Sequence, residues 1–243
     1  MEIALVRVKY NSHIITPPLG LGYLASYAQK CGHKVLIIDA LRDNLSNEQV
    51  VEKINVAGIS AVGITCLSAF YNEVVELSKM LKAEGKKVFI GGIHPTFMPK
   101  QTLIDTGADY VSLGEGEISL KKLLDANFDG TGIQGIYNLE NLPDKPIKGE
   151  KVENLDDLPM PDWGQISPKS YPRAPHGAVT KNYPIGIIMT TRGCPYGCKF
   201  CASPNFYDRK IRFRSPKNVV DEIEYLVKNH GVKEIHFEDD NFT

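Results

Sequence analysis

Three cysteines lie within eight residues of the chain, at Cys194, Cys198 and Cys201, in the spacing C-x3-C-x2-C. Thiolates are soft ligands that suit iron–sulfur clusters or zinc. Cubane clusters generally use four cysteines, whereas no fourth cysteine stands near these three. The pattern predicts a 4Fe–4S cluster with one iron left open, which can chelate a small molecule and pass it an electron.

Structural zinc is the alternative for these thiols, and it needs a fourth ligand. Such sites generally use two short ligand pairs separated by a longer loop. Here all three cysteines share one loop, and the histidines that could complete a zinc site, His176, His230 and His236, are distant in sequence. The ligand count therefore favours the cluster.

The cysteine motif resembles the signature of the radical S-adenosylmethionine (SAM) superfamily, C-x3-C-x-aromatic-C, with Phe200 in the aromatic position. The resemblance implies that the open iron and Phe200 contact SAM. It further implies that electron transfer cleaves SAM to methionine and a 5′-deoxyadenosyl radical, with an electron donor such as flavodoxin or ferredoxin.

An acidic run, Glu238, Asp239 and Asp240, follows the last predicted strand of the chain. The resemblance implies that this run receives the amino group of SAM, because the superfamily places polar groups at the end of its second barrel strand. A carboxylate facing an ammonium is favourable chemistry. A solvated acidic loop is the alternative interpretation.

The composition is that of a soluble globular protein of one or two domains: 243 residues, 42% hydrophobic, 23% charged, with a formal net charge of −1. The near-neutral charge gives no argument for nucleic-acid binding. No apolar run approaches the roughly 20 residues of a membrane span. Residues 1–10 show neither the apolar stretch nor the cleavage site of a secretory signal, so secretion is not expected. Five cysteines, three of them in a cluster motif, fit a reducing compartment, so we expect a cytoplasmic protein.

Residues 1–130 alternate short apolar runs with segments of helical periodicity. The predicted strands are residues 3–8, 35–38, 59–64, 88–90 and 110–113, and the predicted helices are residues 20–31, 47–55, 70–84 and 117–125. Strands that are apolar throughout, separated by helices, indicate an α/β fold with a doubly wound parallel sheet.

The rest of the chain divides into two segments. Residues 131–182 are rich in Gly and Pro and predict a β-hairpin followed by an irregular connector. Residues 183–243 return to strands and one helix, which indicates the start of a radical SAM (β/α) partial TIM barrel. Because only two strands and one helix follow the connector, we expect an incomplete barrel, part of a longer enzyme and inactive alone.

Four loops follow the predicted strands of the first domain, and ligands of such sheets bind at the carboxyl ends of the strands. The loops resemble those of the cobalamin-binding domain joined to many radical SAM enzymes. The shared motifs are Pro-Pro-Leu-Gly-Leu at 17–21, Gly-Gly-x-His-Pro-Thr at 91–96, Gly-Glu-Gly-Glu at 114–117 and, in the connector, Asp-Leu-Pro-x-Pro-Asp-Trp at 157–163.

This resemblance implies a set of cobalamin contacts at one sheet edge, with the nucleotide tail between two of the loops and the corrin facing the SAM cluster. The implied contacts are Leu19, Gly20, Thr65, Cys66, Leu67, Gly91, Gly92, His94, Gly114 and Glu115. Packing is the simpler interpretation of Cys66, and a hydrogen-bonded loop residue that of His94. The motif Asp-x-His-x-x-Gly, whose histidine ligates cobalt in mutases, is absent. Cobalt is then bound without a protein histidine, or the domain has the fold without cobalamin.

The predicted function is that of a cobalamin-dependent radical SAM enzyme acting on a small molecule or peptide. The radical activates a C–H bond, and methyl transfer, cyclisation or rearrangement follows. Two alternatives remain at this point: a radical SAM enzyme whose first domain does not bind cobalamin, and a non-enzymatic metal-binding α/β module.

Overall fold

The computed structural model describes residues 1–173 and 179–242. The chain forms two compact units, and each is described by itself. The first comprises residues 1–11 and 18–151, and the second residues 12–17 and 152–243. Part of the predicted connector, including the candidate zinc ligand His176, lies outside the described residues.

A six-stranded sheet forms the centre of the first unit. Its strands are β1 (Glu2–Arg7), β2 (Lys34–Asp39), β3 (Ala61–Thr65), β4 (Lys87–Gly91), β5 (Tyr110–Ser112) and β6 (Ile136–Tyr137). The order is β2-β1-β3-β4-β5-β6, and β6 alone among these strands pairs antiparallel. The strand order reverses between β1 and β3, which places the ligand crevice of this fold at their carboxyl ends.

Six helices connect the strands of this sheet. They are α1 (Leu19–Lys30), α2 (Asn47–Val56), α3 (Tyr71–Ala83), α4 (Ile93–Phe97), α5 (Pro99–Thr106) and α6 (Glu117–Asp125). The helix α2 begins at a capping box in which Ser46 and Gln49 each bond the other's backbone N–H. These short sequence signals explain why helix bounds were predictable there.

The strands of the sheet are buried on both faces. Ile3, Leu5 and Val6 of β1 are at most 1% exposed. Polar and apolar residues do not alternate along this strand, as expected for a strand covered on both faces. The predicted doubly wound sheet is confirmed. The central strands hold the loops at their carboxyl ends in place through this core.

Three features of the first unit differ from the sequence-based expectation. Helices α4 and α5 fill residues 93–106, where no helix was expected. Pro95 and Pro99 obscured the helical pattern there, although Pro99 occupies the first turn of α5, where proline is tolerated. The described part of 131–182 contains one strand, β6, which pairs with β5 and not within a hairpin. The units also divide after Lys151, whereas the sequence suggested a boundary after residue 130.

Within its described residues, the second unit contains two small sheets and two α-helices. Its elements are β7 (Ile185–Ile188), β8 (Thr191–Arg192), α7 (Ser203–Phe206), β9 (Arg212–Phe213), α8 (Pro216–His230) and β10 (Glu234–Phe237). Strand β10 pairs parallel with β7, and β8 pairs antiparallel with β9. The helix α8 begins at the predicted Ser215 cap and ends at Gly231 in the left-handed region.

Across the described ranges, no helix is both long enough and apolar enough to span a bilayer.

Candidate metal and cofactor sites

The three cysteines of the second unit lie on the loop between β8 and α7. Cys198 is exposed, Cys194 and Cys201 are half-buried, and all three are free thiols. The Cys201 backbone N–H donates to the Cys198 carbonyl at 3.2 Å. Phe200, between the last two cysteines, is 94% exposed. The loop therefore leaves Cys198 and the Phe200 ring exposed, with the other two cysteines partly accessible.

Entry into this loop requires a glycine. Gly193 has φ +100°, and a Cβ there would collide with the backbone carbonyl of Lys210 and lie 3.0 Å from Cβ of Tyr207. L-residues rarely adopt that conformation. The chain can thus pass close to residues 207–210 just before the first cysteine.

The donor set fits a cluster better than a single metal ion. Among the described residues, no three His, Cys, Asp or Glu side chains converge on a point that could hold one ion. The thiolates of a cubane cluster bind different irons, so they need not converge in that way. Of the candidate zinc ligands, His230 is bonded to Ser167 at 3.0 Å and His236 to Glu234 at 2.9 Å.

Asp239 fixes the segment that leads into the cysteine loop. Its Oδ1 accepts the backbone N–H of Thr190 and of Thr191, both at 2.7 Å, and its Oδ2 accepts the Thr190 hydroxyl at 2.6 Å. These bonds join the end of β10 to the turn between β7 and β8. A carboxylate that accepts three donors is a firm anchor.

The neighbours of Asp239 have different environments. Asp240 accepts the hydroxyl of Ser203, the first residue of α7, which follows the cysteine loop. Burial raises the pKa of Glu238 to about 6, with a smaller opposing effect from the charge of His236. The acidic run predicted to meet SAM therefore lies against both ends of the cysteine loop. Whether it contacts SAM stays a prediction.

Two arginines follow the loop in sequence, and both contact other residues of the chain. Arg212 donates to the carbonyl of Val152. Arg214 is 9% exposed and forms an ion pair with Glu222, which is 1% exposed. Burial raises the pKa of Glu222, opposed by the charge of Arg214.

In the first unit, the loops after β3 and β4 touch through their backbones. The N–H of Cys66 donates to the carbonyl of Gly91 at 2.8 Å, and the N–H of His94 donates to the carbonyl of Cys66 at 3.1 Å. Gly92 has φ +116°, and a Cβ there would lie 2.7 Å from the Cys66 carbonyl oxygen. These contacts bring Thr65, Cys66, Leu67, Gly91, Gly92 and His94 together at the carboxyl edge of the sheet.

Cys66 is a packing residue in this wall. Its side chain is fully buried, and burial raises the pKa of its thiol to about 12. A thiol with that pKa stays protonated at neutral pH and is a poor nucleophile or metal ligand.

His94, the second residue of α4, is held by its neighbours. Its ring stacks on Tyr71 with centroids 4.0 Å apart, and Nδ1 lies 2.9 Å from the Ser68 hydroxyl. Burial lowers the pKa of His94, with a smaller opposing effect from Asp105. The Nε2 atom is buried and has no hydrogen-bond partner among the described residues.

The loop after β5 runs beneath a returning segment of the chain. The N–H of Gly149 donates to the carbonyl of Leu113 at 2.8 Å, and the N–H of Gly114 donates to the Thr96 hydroxyl at 2.9 Å. A Cβ on Gly114 would lie 3.0 Å from Cβ of Lys148. Gly114 and Glu115 are consequently buried, and Glu115 is 9% exposed.

The first turn of α1, the helix that follows β1, is open by comparison. Leu19 and Gly20 begin α1; Gly20 is exposed, and a Cβ there would meet nothing within 4 Å. Together with the loop after β3, it borders the crevice where the strand order reverses.

The residues at this edge fit the polar tail of a corrinoid. The hydroxyl of Ser112, at the end of β5, is buried without a partner among the described residues, like Nε2 of His94. Unpaired buried polar atoms are rare and can mark a place where a ligand supplies the missing bond. Gly91 and Gly92 allow a ligand close to the backbone. Ser112 was not singled out in the sequence, although its place at a strand end is the signal that could have found it.

Two family models match the chain, one for each unit. The model of the B12 binding domain matches residues 8–124, and the model of the Radical SAM superfamily matches residues 188–243. Residues 125–187 lie between the two matches and include the connector.

Two curated relatives align along nearly all of the chain. An uncharacterized methyltransferase of Pyrococcus horikoshii is 33% identical over 234 residues, covering 93% of this chain and 49% of that protein. The anaerobic magnesium-protoporphyrin IX monomethyl ester cyclase of Rubrivivax gelatinosus is 34% identical over 229 residues, covering 89% of this chain and 40% of that protein. The chain spans about half the length of the curated relatives it matches, or less.

A solved structure shares the fold. It is a radical S-adenosylmethionine methyltransferase of Kitasatospora setae, with cobalamin and a 4Fe-4S cluster bound. It matches with a TM-score of 0.74 at 22% identity, over 99% of this chain and 49% of that one. The chain belongs to the radical SAM superfamily and carries a B12-binding domain ahead of its radical SAM segment.

Proposed function

We propose that the protein acts as a cobalamin-dependent radical SAM enzyme on a small-molecule or peptide substrate. The observation that carries the proposal is the cysteine loop: three unpaired thiols on a short loop at the start of the segment that matches the radical SAM superfamily. The B12-binding match over residues 8–124 supports the cobalamin part.

In this proposal, Cys194, Cys198 and Cys201 bind the cluster as thiolates and leave one iron for SAM. When bound, the reduced cluster would supply the electron that cleaves SAM to methionine and a 5′-deoxyadenosyl radical, and cobalamin would supply a cobalt centre that can carry a methyl group. Phe200, being exposed, can pack against SAM. Glu238 can pair with its ammonium once the carboxyl is ionised.

The first unit would hold the cobalamin tail. The close backbone of Gly91 and Gly92 admits the tail, and the unpaired atoms of His94 and Ser112 can bond its polar groups. We propose Leu19, Gly20, Thr65 and Leu67 as further walls of that site. Because His94 is held by Tyr71 and Ser68, we do not assign it to cobalt.

The relatives give two classes of outcome for the chemistry, methyl transfer and cyclisation. In this proposal the residues described above, which would hold the cluster, SAM and the cobalamin tail, serve either outcome. An electron donor of the flavodoxin or ferredoxin type would supply the cluster. The free thiols suit a reducing compartment, and we place the protein in the cytoplasm on that ground.

The direct test is anaerobic reconstitution with iron, sulfide and hydroxocobalamin, followed by iron and corrinoid determination. We expect about four irons and one corrinoid per chain, and the variant Cys198→Ser should lose iron while it retains corrinoid. Iron without corrinoid would favour a radical SAM enzyme whose first domain does not bind cobalamin. Zinc in place of iron would contradict the proposal.

A further inference from the structure

A buried chain of polar contacts crosses the second unit from the connector to the base of the cysteine loop. Trp163 closes the connector motif and is 1% exposed. Its indole Nε1 donates to Oε1 of Glu222, on α8, at 2.9 Å. A buried indole N–H is expected to find a partner, and here the partner is an ionisable group.

Glu222 also forms an ion pair with Arg214. Its Oε2 lies 2.5 Å from Nη2 of Arg214, and the two side chains are 1% and 5% exposed. Asn218 completes the arrangement, since its side-chain oxygen accepts Nε of Arg214 at 2.6 Å and its carbonyl accepts Nη2 at 3.2 Å. The planar guanidinium is thereby fixed in orientation.

The other end of Arg214 holds the strand that leads to the cysteines. Its Nη1 donates to the carbonyl of Met189 at 2.9 Å, and its backbone N–H donates to the carbonyl of Thr190 at 2.9 Å. Asp239 bonds the N–H groups of Thr190 and Thr191. The segment 189–191 is thus held from two sides, three residues before Cys194.

Packing alone does not account for this ion pair. Burying two opposite charges is costly, and apolar side chains of similar volume are frequently as stable or more so. What this pair adds is a fixed orientation, through the ion pair itself and through the hydrogen bonds that Trp163 donates to Glu222 and that Arg214 donates to Asn218 and Met189. The orientation of the loop depends on residues outside it. Within residues 194–201, all of which are described, the one backbone hydrogen bond runs from the Cys201 N–H to the Cys198 carbonyl.

We propose that Trp163, Glu222 and Arg214 are positioning residues that fix the base of the cysteine loop, and through it the place of the cluster. The inference rests on the proposed function for its cluster part. Its structural part, the ordering of residues 189–201 by this chain of contacts, can be measured without any cofactor.

The first experiment is amide hydrogen exchange on the cofactor-free chain, comparing Glu222→Gln with Ser167→Ala. Ser167 also links the connector to α8, but at the far end of the helix, through His230. We expect exchange in residues 189–201 to rise about tenfold in E222Q, the factor that corresponds to losing about 1.4 kcal/mol of local stability. In S167A it should stay as in the wild type. Equal exchange in the two variants would overturn the proposal.

The double variant Glu222→Leu with Arg214→Met guards against simple misfolding. Replacing both charges by apolar groups is expected to preserve the fold, and the urea midpoint checks this. We expect this folded variant to show the fast exchange of residues 189–201. After reconstitution, its reduced cluster should show an electron paramagnetic resonance spectrum that is broadened and responds less to SAM. Wild-type exchange and a wild-type spectrum in a folded double variant would overturn the proposal.

Failure of the proposed function has a different signature. If the wild-type chain takes up no cluster, the spectra are uninformative for all variants, while the exchange comparison still tests the positioning role. If the cluster forms and the exchange is unchanged, the positioning role alone is wrong.

Discussion

At the scale of single residues, the second unit separates two kinds of carboxylate within one acidic run. Both carboxylate oxygens of Asp239 accept hydrogen bonds from residues 190–191, whereas Glu238 is half-buried and has a raised pKa. The sequence pointed to the whole run as a SAM site, because neighbouring carboxylates look alike in a sequence. The hydrogen-bond partners of Asp239 are 48 and 49 residues away along the chain and that of Asp240 is 37 residues away, so no local pattern reveals them.

Asp239→Asn tests the anchor. The substitution keeps the shape but removes the charge that strengthens three hydrogen bonds, so we expect a loss of about 1 to 3 kcal/mol in the free energy of unfolding. The matched control is Asp240→Asn, an exposed neighbour bonded to Ser203, for which about 0.5 kcal/mol is expected. Urea unfolding measures both, and equal losses would contradict the anchoring role.

Glu238 predicts a pH dependence with a defined sign. Burial raises its pKa from the ordinary 4.5 to about 6, so the folded chain holds this proton more tightly than the unfolded chain. The protonated carboxyl therefore contributes stability that is complete below about pH 4.5 and is lost as the pH rises through about 6. The difference in unfolding free energy between the wild type and Glu238→Gln should change over that window. Parallel pH curves would show that the carboxyl has its ordinary pKa.

At the scale of secondary-structure elements, the loops at the carboxyl edge of the first sheet were largely predictable. The segment of residues 148–149 that packs against the loop after β5 was not. The predicted strand ends located the loops after β1, β3, β4 and β5, and Gly92 and Gly114 follow closely behind β4 and β5. The packing of residues 148–149 against Gly114 could not be predicted, because it is a contact between distant residues and leaves no periodic pattern in the sequence. Strand β6 has two residues, too few for a pattern to show its pairing.

Gly92→Ala tests how closely the loops after β3 and β4 pack. A methyl group there would meet the Cys66 carbonyl in a backbone conformation that L-residues avoid, so a loss of about 3 kcal/mol is expected. Gly107→Ala is the control: its φ is +63°, but the added methyl would meet nothing within 4 Å, so about 1 kcal/mol is expected. Chemical denaturation and corrinoid retention should both single out G92A. If G92A were as stable as G107A, the loops after β3 and β4 would be able to move apart, and the close packing proposed for them would be wrong.

At the scale of the whole molecule, the sequence carried two independent signals, and each lies in its own unit. The cysteine spacing identified the second, and the alternation of strands and helices with glycine loops identified the first. Both were confirmed by the matching families. The place where the first unit ends was not predictable, because residues 131–151 join it through β6 and the segment beside Leu113.

The most direct measurement is the electron paramagnetic resonance spectrum of the anaerobically reconstituted, reduced chain, recorded before and after SAM is added. We expect the signal of a reduced 4Fe–4S cluster, with g-values that shift when SAM binds the iron that the three cysteines leave open. A cluster whose spectrum ignores SAM, or a chain that takes up zinc in place of iron, would contradict the assignment of Cys194, Cys198 and Cys201.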